Sequence, residues 1–229
     1  MELYNKYMAE LESSRDMVDF LDNYITVWTY IPSGSAPREL QGGMIKEQYY
    51  MQDVKLDPTF GEFADRMSGL QTRGDELWSY VACEPKWDAP YQNILLFNDG
   101  TEARTLFWTN YMLGQTGFLY WREDYYSAVE ADTSAMRNPF SKTGPGDGIL
   151  VYPGAIYGQL DPIPSIRFIN MRDGIEDYQL LTMLETAKGE AYTNELVSHV
   201  VTSTVTFTRD GDMVNNVRSF LLRQLEAAQ

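Results

Sequence analysis

Acid–base chemistry needs carboxyl groups, and this sequence places them next to each other at Asp75-Glu76, Glu123-Asp124 and Glu176-Asp177. Glu123 and Asp124 follow the β-rich run 117–121 and lead into Tyr125 and Tyr126. On a rim loop these four side chains are candidates to bind hydroxyl groups, and Glu123 or Asp124 is a candidate acid. A solvated acidic loop accounts for the same residues. Trp78 and Tyr80 lie two apart in a predicted strand, so both side chains point the same way. With Trp121 from the next strand they are candidates for an aromatic platform, because aromatic faces suit the C–H surfaces of flat ligands such as sugar rings. Interior packing is the competing explanation.

The densest charge pattern is the run PSIRFINMRDGIEDYQLL at 164–181. Ile166, Ile169, Ile175, Tyr178 and Leu181 lie three or four apart around a gap, which predicts a helix with one packed face. Ser165 is placed to cap its first turn. Arg172 and Glu176 are i,i+4 partners. Arg167, Arg172 and Asp177 are read as ties between this helix and the rest of the fold, ahead of ligand contact. Adjacent residues on a helix point about 100° apart, so Glu176 and Asp177 cannot act as a pair. Asp147, in GPGDG, reads as a turn residue.

Composition narrows the partners. A formal charge of −15 over 229 residues disfavours nucleic acid and anionic membranes. One cysteine, Cys83, permits no internal disulfide, and one histidine, His199, excludes sites built on several imidazoles. His199 reads as a packed or surface residue of a C-terminal helix. No metal, nucleotide or phosphate motif is present, so no cofactor is expected. No apolar run is long enough to span a bilayer, and the N-terminal stretch is an amphipathic helix without the features of a signal peptide. A chain that begins inside a helix reads as cut from a longer one, and its location stays open.

Those residues must be positioned by elements that alternate. The sequence predicts a helix over 3–21, a strand over 25–31, a short strand near 52–56, a helix to about 70, and strands over 77–83 and 117–121. Asp99 and Glu102 resemble a capping box before a helix over 103–113. A long loop covers 122–148, then a short β-like segment over 149–152 precedes the charged helix. Two further helices are predicted at 193–201 and 213–228. Residues 1–187 thus read as four strand–helix units, with 188–229 a helical segment of the same domain. Four units are half of an eightfold barrel or a small open sheet. Acidic and aromatic residues gather after the strands at Glu84, Trp87 and 122–126, on the end where barrel enzymes carry their sites.

Five motifs occur in order: Trp78-Ser-Tyr80-Val-Ala-Cys83 with Pro85, Glu102-Ala-Arg104 with Trp108, Gly117-Phe-Leu-Tyr120-Trp121, Gly146-Asp-Gly-Ile-Leu-Val-Tyr152-Pro-Gly154, and Ser165-Ile-Arg167 through Arg172-Asp-Gly-Ile-Glu-Asp177-Tyr178. Together they resemble the catalytic domain of glycoside hydrolase family 123. The resemblance implies the C-terminal half of a (β/α)8 barrel with extra C-terminal helices, and hydrolysis of β-linked N-acetylgalactosamine by a retaining, substrate-assisted route. It also implies an adjacent Asp-Glu pair, followed by Pro, at the end of the fourth barrel strand. None of the three acidic pairs matches that pattern. The expectation is a half-barrel without its catalytic carboxylates, with Trp78, Tyr80, Trp121 and Tyr125 as substrate contacts. Self-association or pairing with an N-terminal half-barrel would cover its open faces. The alternative is a carbohydrate-binding or barrel-completing module without hydrolysis.

Overall fold

The computed structural model describes residues 27–30, 74, 76–83, 85, 88–125 and 145–228. The predicted helices over 3–21 and up to 70, the strand near 52–56, Glu84, Trp87 and the middle of the long loop lie outside the described residues. Three strands form a parallel sheet in the order β1 (Val27–Tyr30), β2 (Glu76–Val81), β3 (Gly117–Tyr120). Val27 pairs with Glu76, and Trp78 pairs with Gly117, so β1 sits directly beside β2. The result is a mixed α/β fold. Among the described residues it forms small sheets and no closed barrel.

Alternation along β2 sets the two faces of the sheet. Ser79 and Val81 are buried, and Ser79 Oγ donates to Asn110 Oδ1 at 2.9 Å on α1 (Glu102–Met112). Phe118 of β3 meets Phe107 of α1 edge-on, with ring centroids 5.3 Å apart. The opposite face carries Trp78 and Tyr80, with Leu119 left 38% exposed. A Cβ at Gly117 would fall 2.4 Å from the Trp78 ring, so a glycine is required where the indole lies on the next strand.

The capping box does not form at α1. Asp99 Oδ1 does accept a backbone N–H, that of Thr101 at 2.8 Å, but the helix begins at Glu102. Glu102 therefore sits at the first helical position, two residues short of the third position from which a capping box reaches back. Its buried carboxylate instead takes Asn98 Nδ2 at 2.8 Å and Arg209 at 2.7 Å.

Two short strands, β4 (Val151–Tyr152) and β5 (Ile163–Pro164), pair antiparallel and deliver the chain to the long helix α2 (Ile166–Lys188). Ser165 Oγ accepts from Phe168 N at 3.2 Å and caps it. The packed face differs from the expected one. Ile166 and Ile175 are 68% and 46% exposed, whereas Arg167, Met171, Gly174, Asp177, Leu181 and Leu184 are buried. Nine residues at 100° each place Ile166 and Ile175 on opposite sides of a helix, so they could not share a face. Gly174 allows close crossing: a Cβ there would meet Arg104 O at 2.6 Å.

The helices α3 (Glu190–Val197) and α4 (Gly211–Glu226) pack on α1 and α2 through Trp108, Leu181, Leu184, Val214 and Leu221. The predicted helix over 193–201 stops short, because Val201–Ser203 and Thr206–Phe207 form an antiparallel hairpin, β6 and β7. Val201 and Ser203 point inward and Thr202 outward, the period of a strand. His199 is exposed in the turn before it.

Candidate functional site

Parallel strands deliver their carboxyl ends to one side, and the described polar residues converge there after β2 and β3. The chain leaving β2 is held by Asn93, whose amide donates to Ala82 O at 2.9 Å and Pro85 O at 2.5 Å. The chain leaving β3 pairs with residues 148–151: Tyr125 N donates to Gly148 O at 2.7 Å, and Leu150 N to Glu123 O at 2.8 Å. Asp124 bridges Ile149.

Asp147 is the centre of this rim. It is 5% exposed, and its Oδ1 accepts from Tyr120 Oη at 3.0 Å and Trp121 Nε1 at 2.9 Å. Tyr120 Oη in turn accepts from Gly148 N at 2.8 Å. Burial drives the Tyr120 phenol far above the ordinary tyrosine range, and the Asp147 charge adds to the effect. Tyr80 is raised in the same way, first by desolvation and then by Asp147. The loop reading of Asp147 holds for its backbone, since Gly146 and Gly148 take φ of +81° and +72°. That reading missed the side chain. A Pro-Gly-Asp-Gly string announces a turn but not which strand end the turn covers.

Trp121 is 38% exposed, with its ring edge against Tyr125 at 4.9 Å between centroids. A Cβ at Gly148 would lie 2.5 Å from the indole, so the glycine lets the ring rest on the turn. Arg122 stacks over Tyr125 at 5.3 Å and pairs with Asp124 at 3.1 Å, both largely exposed. Tyr80, Trp121 and Tyr125 therefore stand at one end of the sheet with Glu123 and Asp124.

Trp78 stands apart. Its strand partner is Gly117, the first residue of β3, and its Nε1 donates to Glu76 Oε2 at 2.8 Å at the amino end. A cavity of about 240 Å³ lies at that same end, bounded by Phe107, Gln115, Phe118, Ile175 and Tyr178. Glu76 is thus on the floor, opposite the rim. Glu176 and Asp177 are engaged elsewhere, Asp177 wholly buried against Arg104, Trp108 and Arg218. Arg167 donates to Ile94 O at 2.7 Å, Gly146 O at 2.9 Å and Ile149 O, which joins α2 to the rim loops. Arg172 is exposed and pairs with Asp173 at 2.7 Å and Glu176 at 3.9 Å, both on its own helix, so these contacts tie it to no other element. Among the described residues no group of three or more His, Cys, Asp or Glu side chains is arranged to hold a metal ion.

The model of the glycoside hydrolase 123 catalytic domain matches residues 16–184. The chain belongs to glycoside hydrolase family 123. A solved family 123 glycoside hydrolase from Clostridium perfringens, described for glycolipid glycan hydrolysis, shares the fold at a TM-score of 0.51 and 14% identity. The match covers 99% of this chain and 43% of that one, so the chain spans less than half the length of this relative. No curated protein matches the chain. Family membership gives the rim a chemical context, that of a glycosidase domain. The five ordered motifs bear on the fold at defined points: Trp108 and Asp177 are joined at 3.0 Å, and Arg104 and Asp177 at 2.6 Å.

Proposed function

We propose that this family 123 domain acts on glycans ending in β-linked N-acetylgalactosamine, by the retaining, substrate-assisted route that the family resemblance implies. In that route the acetamido oxygen attacks the anomeric carbon, one carboxylate orients the acetamide, and a neighbouring carboxyl protonates the leaving oxygen. It is an exception to the usual pair with a protein nucleophile. The chain contributes the C-terminal half of a (β/α)8 barrel, and the adjacent Asp-Glu pair is supplied from outside it. The reading is carried by the grouping of Tyr80, Trp121 and Tyr125 at the carboxyl ends of β2 and β3, where barrel enzymes bind substrate. Trp121 offers an exposed face for a sugar ring, and Tyr80 and Tyr125 flank it. Trp78, half-buried over Gly117 at the amino end of the sheet, stands away from this group.

The placement of the acidic pairs supports the absence of the catalytic carboxylates. Glu76 is at the amino end of its strand, Asp177 is buried in ion pairs, and Asp124 makes a solvent-exposed pair with Arg122. The test is hydrolysis of a chromogenic aryl β-N-acetylgalactosaminide by the chain, alongside an NMR titration with N-acetylgalactosamine. Binding without turnover is expected. Turnover that disappears in Glu123→Gln would refute the placement of the acid outside this chain.

A second reading, a carbohydrate-binding or barrel-completing module, draws on the sheet itself. Among the described residues β3 has a strand on one edge only, and Leu119 is exposed on the open face. Such an edge and face invite a partner half-barrel or a second copy. Sedimentation of the chain alone distinguishes a self-associating form from a monomer.

A further inference from the structure

Trp121 is central to the glycan-binding reading above, yet the sheet does not fix it. β3 ends at Tyr120, so the alternation that directs side chains along a strand stops one residue before the indole. Successive strand residues point to opposite faces, but Tyr120 Oη and Trp121 Nε1 both donate to Asp147 Oδ1, at 3.0 and 2.9 Å. Trp121 has left the alternation and takes its direction from the turn opposite. The second side-chain torsion of a tryptophan is broad unless something holds the ring. The described residues supply three contacts that do so. The indole N–H meets the Asp147 carboxylate, the six-membered ring lies against Gly148, where a Cβ would fall 2.5 Å from it, and Tyr125 stands edge-on with centroids 4.9 Å apart. Asp147 is 5% exposed and Trp121 38%, so the indole is held by a buried group and still meets solvent.

We propose that Asp147 is a positioning residue: with Gly148 against the ring, it sets the plane in which Trp121 meets a sugar. This role rests on the glycan-binding reading, and Asp147 acts through the indole, with no contact to the ligand. An indole has one donor and no acceptor. With that donor turned inward to Asp147, the exposed part of Trp121 is carbon surface, which suits the C–H face of a sugar ring. A carboxylate makes a stronger hydrogen bond than a neutral acceptor, so it holds the ring more firmly than a backbone carbonyl would. Ordering a side chain at the moment of binding costs affinity, and a ring that is already fixed avoids that cost. The acid buried in this turn thus has a role on the exposed rim, exercised through the aromatic it holds.

The experiment labels the chain with 5-fluorotryptophan and follows fluorine NMR while N-acetylgalactosamine is added. The signal missing from Trp121→Phe is that of Trp121, and the other tryptophan signals report on the rest of the fold. Asp147→Ala removes the acceptor, whereas the amide oxygen of Asp147→Asn keeps one. Asp147→Ala is expected to move and broaden the Trp121 signal alone and to weaken binding about fivefold, and Asp147→Asn to restore both. Trp121→Phe retains a ring for the sugar but has no N–H, so adding Asp147→Ala to it is expected to cost less than about twofold more. An unmoved Trp121 signal in Asp147→Ala, or the full loss repeated in the Trp121→Phe background, would overturn the positioning role and leave the glycan reading standing. Should Asp147→Ala fail to fold, Gly148→Ala decides, because its methyl would fall 2.5 Å from the indole. There a displaced Trp121 signal with weakened binding is expected, and an unmoved signal or unchanged binding overturns the role. No binding of N-acetylgalactosamine by the wild type would overturn both readings.

Discussion

Asp177→Ala is the substitution that best separates two views of the charged helix. In the surface view its ions are solvated, and an exposed pair contributes about 0–1 kcal/mol. The structure places Asp177 at 0% exposure, with Arg104 at 2.6 and 3.2 Å, Trp108 Nε1 at 3.0 Å and Arg218 also bonded. Arg104 is 11% exposed and Trp108 fully buried, so alanine would leave a largely buried guanidinium and a buried indole N–H without their acceptor. Breaking such a pair from one side costs about 3–5 kcal/mol. A chain of this size loses about 2–4 °C of melting temperature per kcal/mol, which gives a fall of about 6–20 °C. Urea unfolding followed by tryptophan emission measures the free energy directly, because Trp108 reports on the site. Asp177→Asn keeps an acceptor for the indole but removes the charge, and is expected to fall between alanine and wild type. A loss below about 1 kcal/mol in Asp177→Ala would refute the claim that this carboxylate holds α1, α2 and α4 together.

Three further outcomes follow from the same geometry. Gly174→Ala drives a methyl to 2.6 Å from Arg104 O, so α1 and α2 must separate, at a cost of about 1–3 kcal/mol seen in urea unfolding. Tyr120 is held protonated in the fold while its unfolded counterpart titrates near pH 10. The folded state then binds more protons, so the stability contribution is complete below about pH 10 and is lost as pH climbs above it. Tyr120→Phe should flatten that alkaline decline in melting temperature. Arg167→Lys gives up the planar fork that spans Ile94 O, Gly146 O and Ile149 O, and is expected to shift Trp121 emission and weaken sugar binding together.

Much of this fold was legible because local rules decided it. Strand alternation at β2, the Ser165 cap and the helical run after it all appear where residue type and spacing predict them. The departure on α2 has a physical origin, the assumption that apolar residues mark the buried face. On α2 the buried face carries Arg167 and Asp177, and the isoleucines at 166 and 175 face out. Charge can be buried there because each group finds partners distant in sequence: Asp177 meets Arg104 at a separation of 73 residues and Arg218 at 41. Periodicity within a helix carries no information about such partners. The hairpin at 201–207 failed differently. Its alternating Val-Thr-Ser-Thr-Val-Thr-Phe pattern is a strand signal that ends the helix before it. At the rim, Trp121, Tyr125 and Tyr80 could be located from strand ends, whereas the position of Asp147 required knowing which strand the turn covers.

The charged helix and the rim are parts of one device. Arg167, at the first turn of α2, takes the carbonyls of Gly146 and Ile149, which bracket Asp147 and Gly148. A Cβ at Gly146 would lie 2.8 Å from the guanidinium, so the loop and the arginine fit only with glycine there. Ten residues further along, Asp177 anchors the same helix to α1 and α4. The rim turn is therefore held by a helix that is itself pinned in the core. This accounts for Arg167 and Asp177 in 164–181 without assigning either to chemistry: Arg167 sets where Asp147 stands, and Asp177 sets where Arg167 stands.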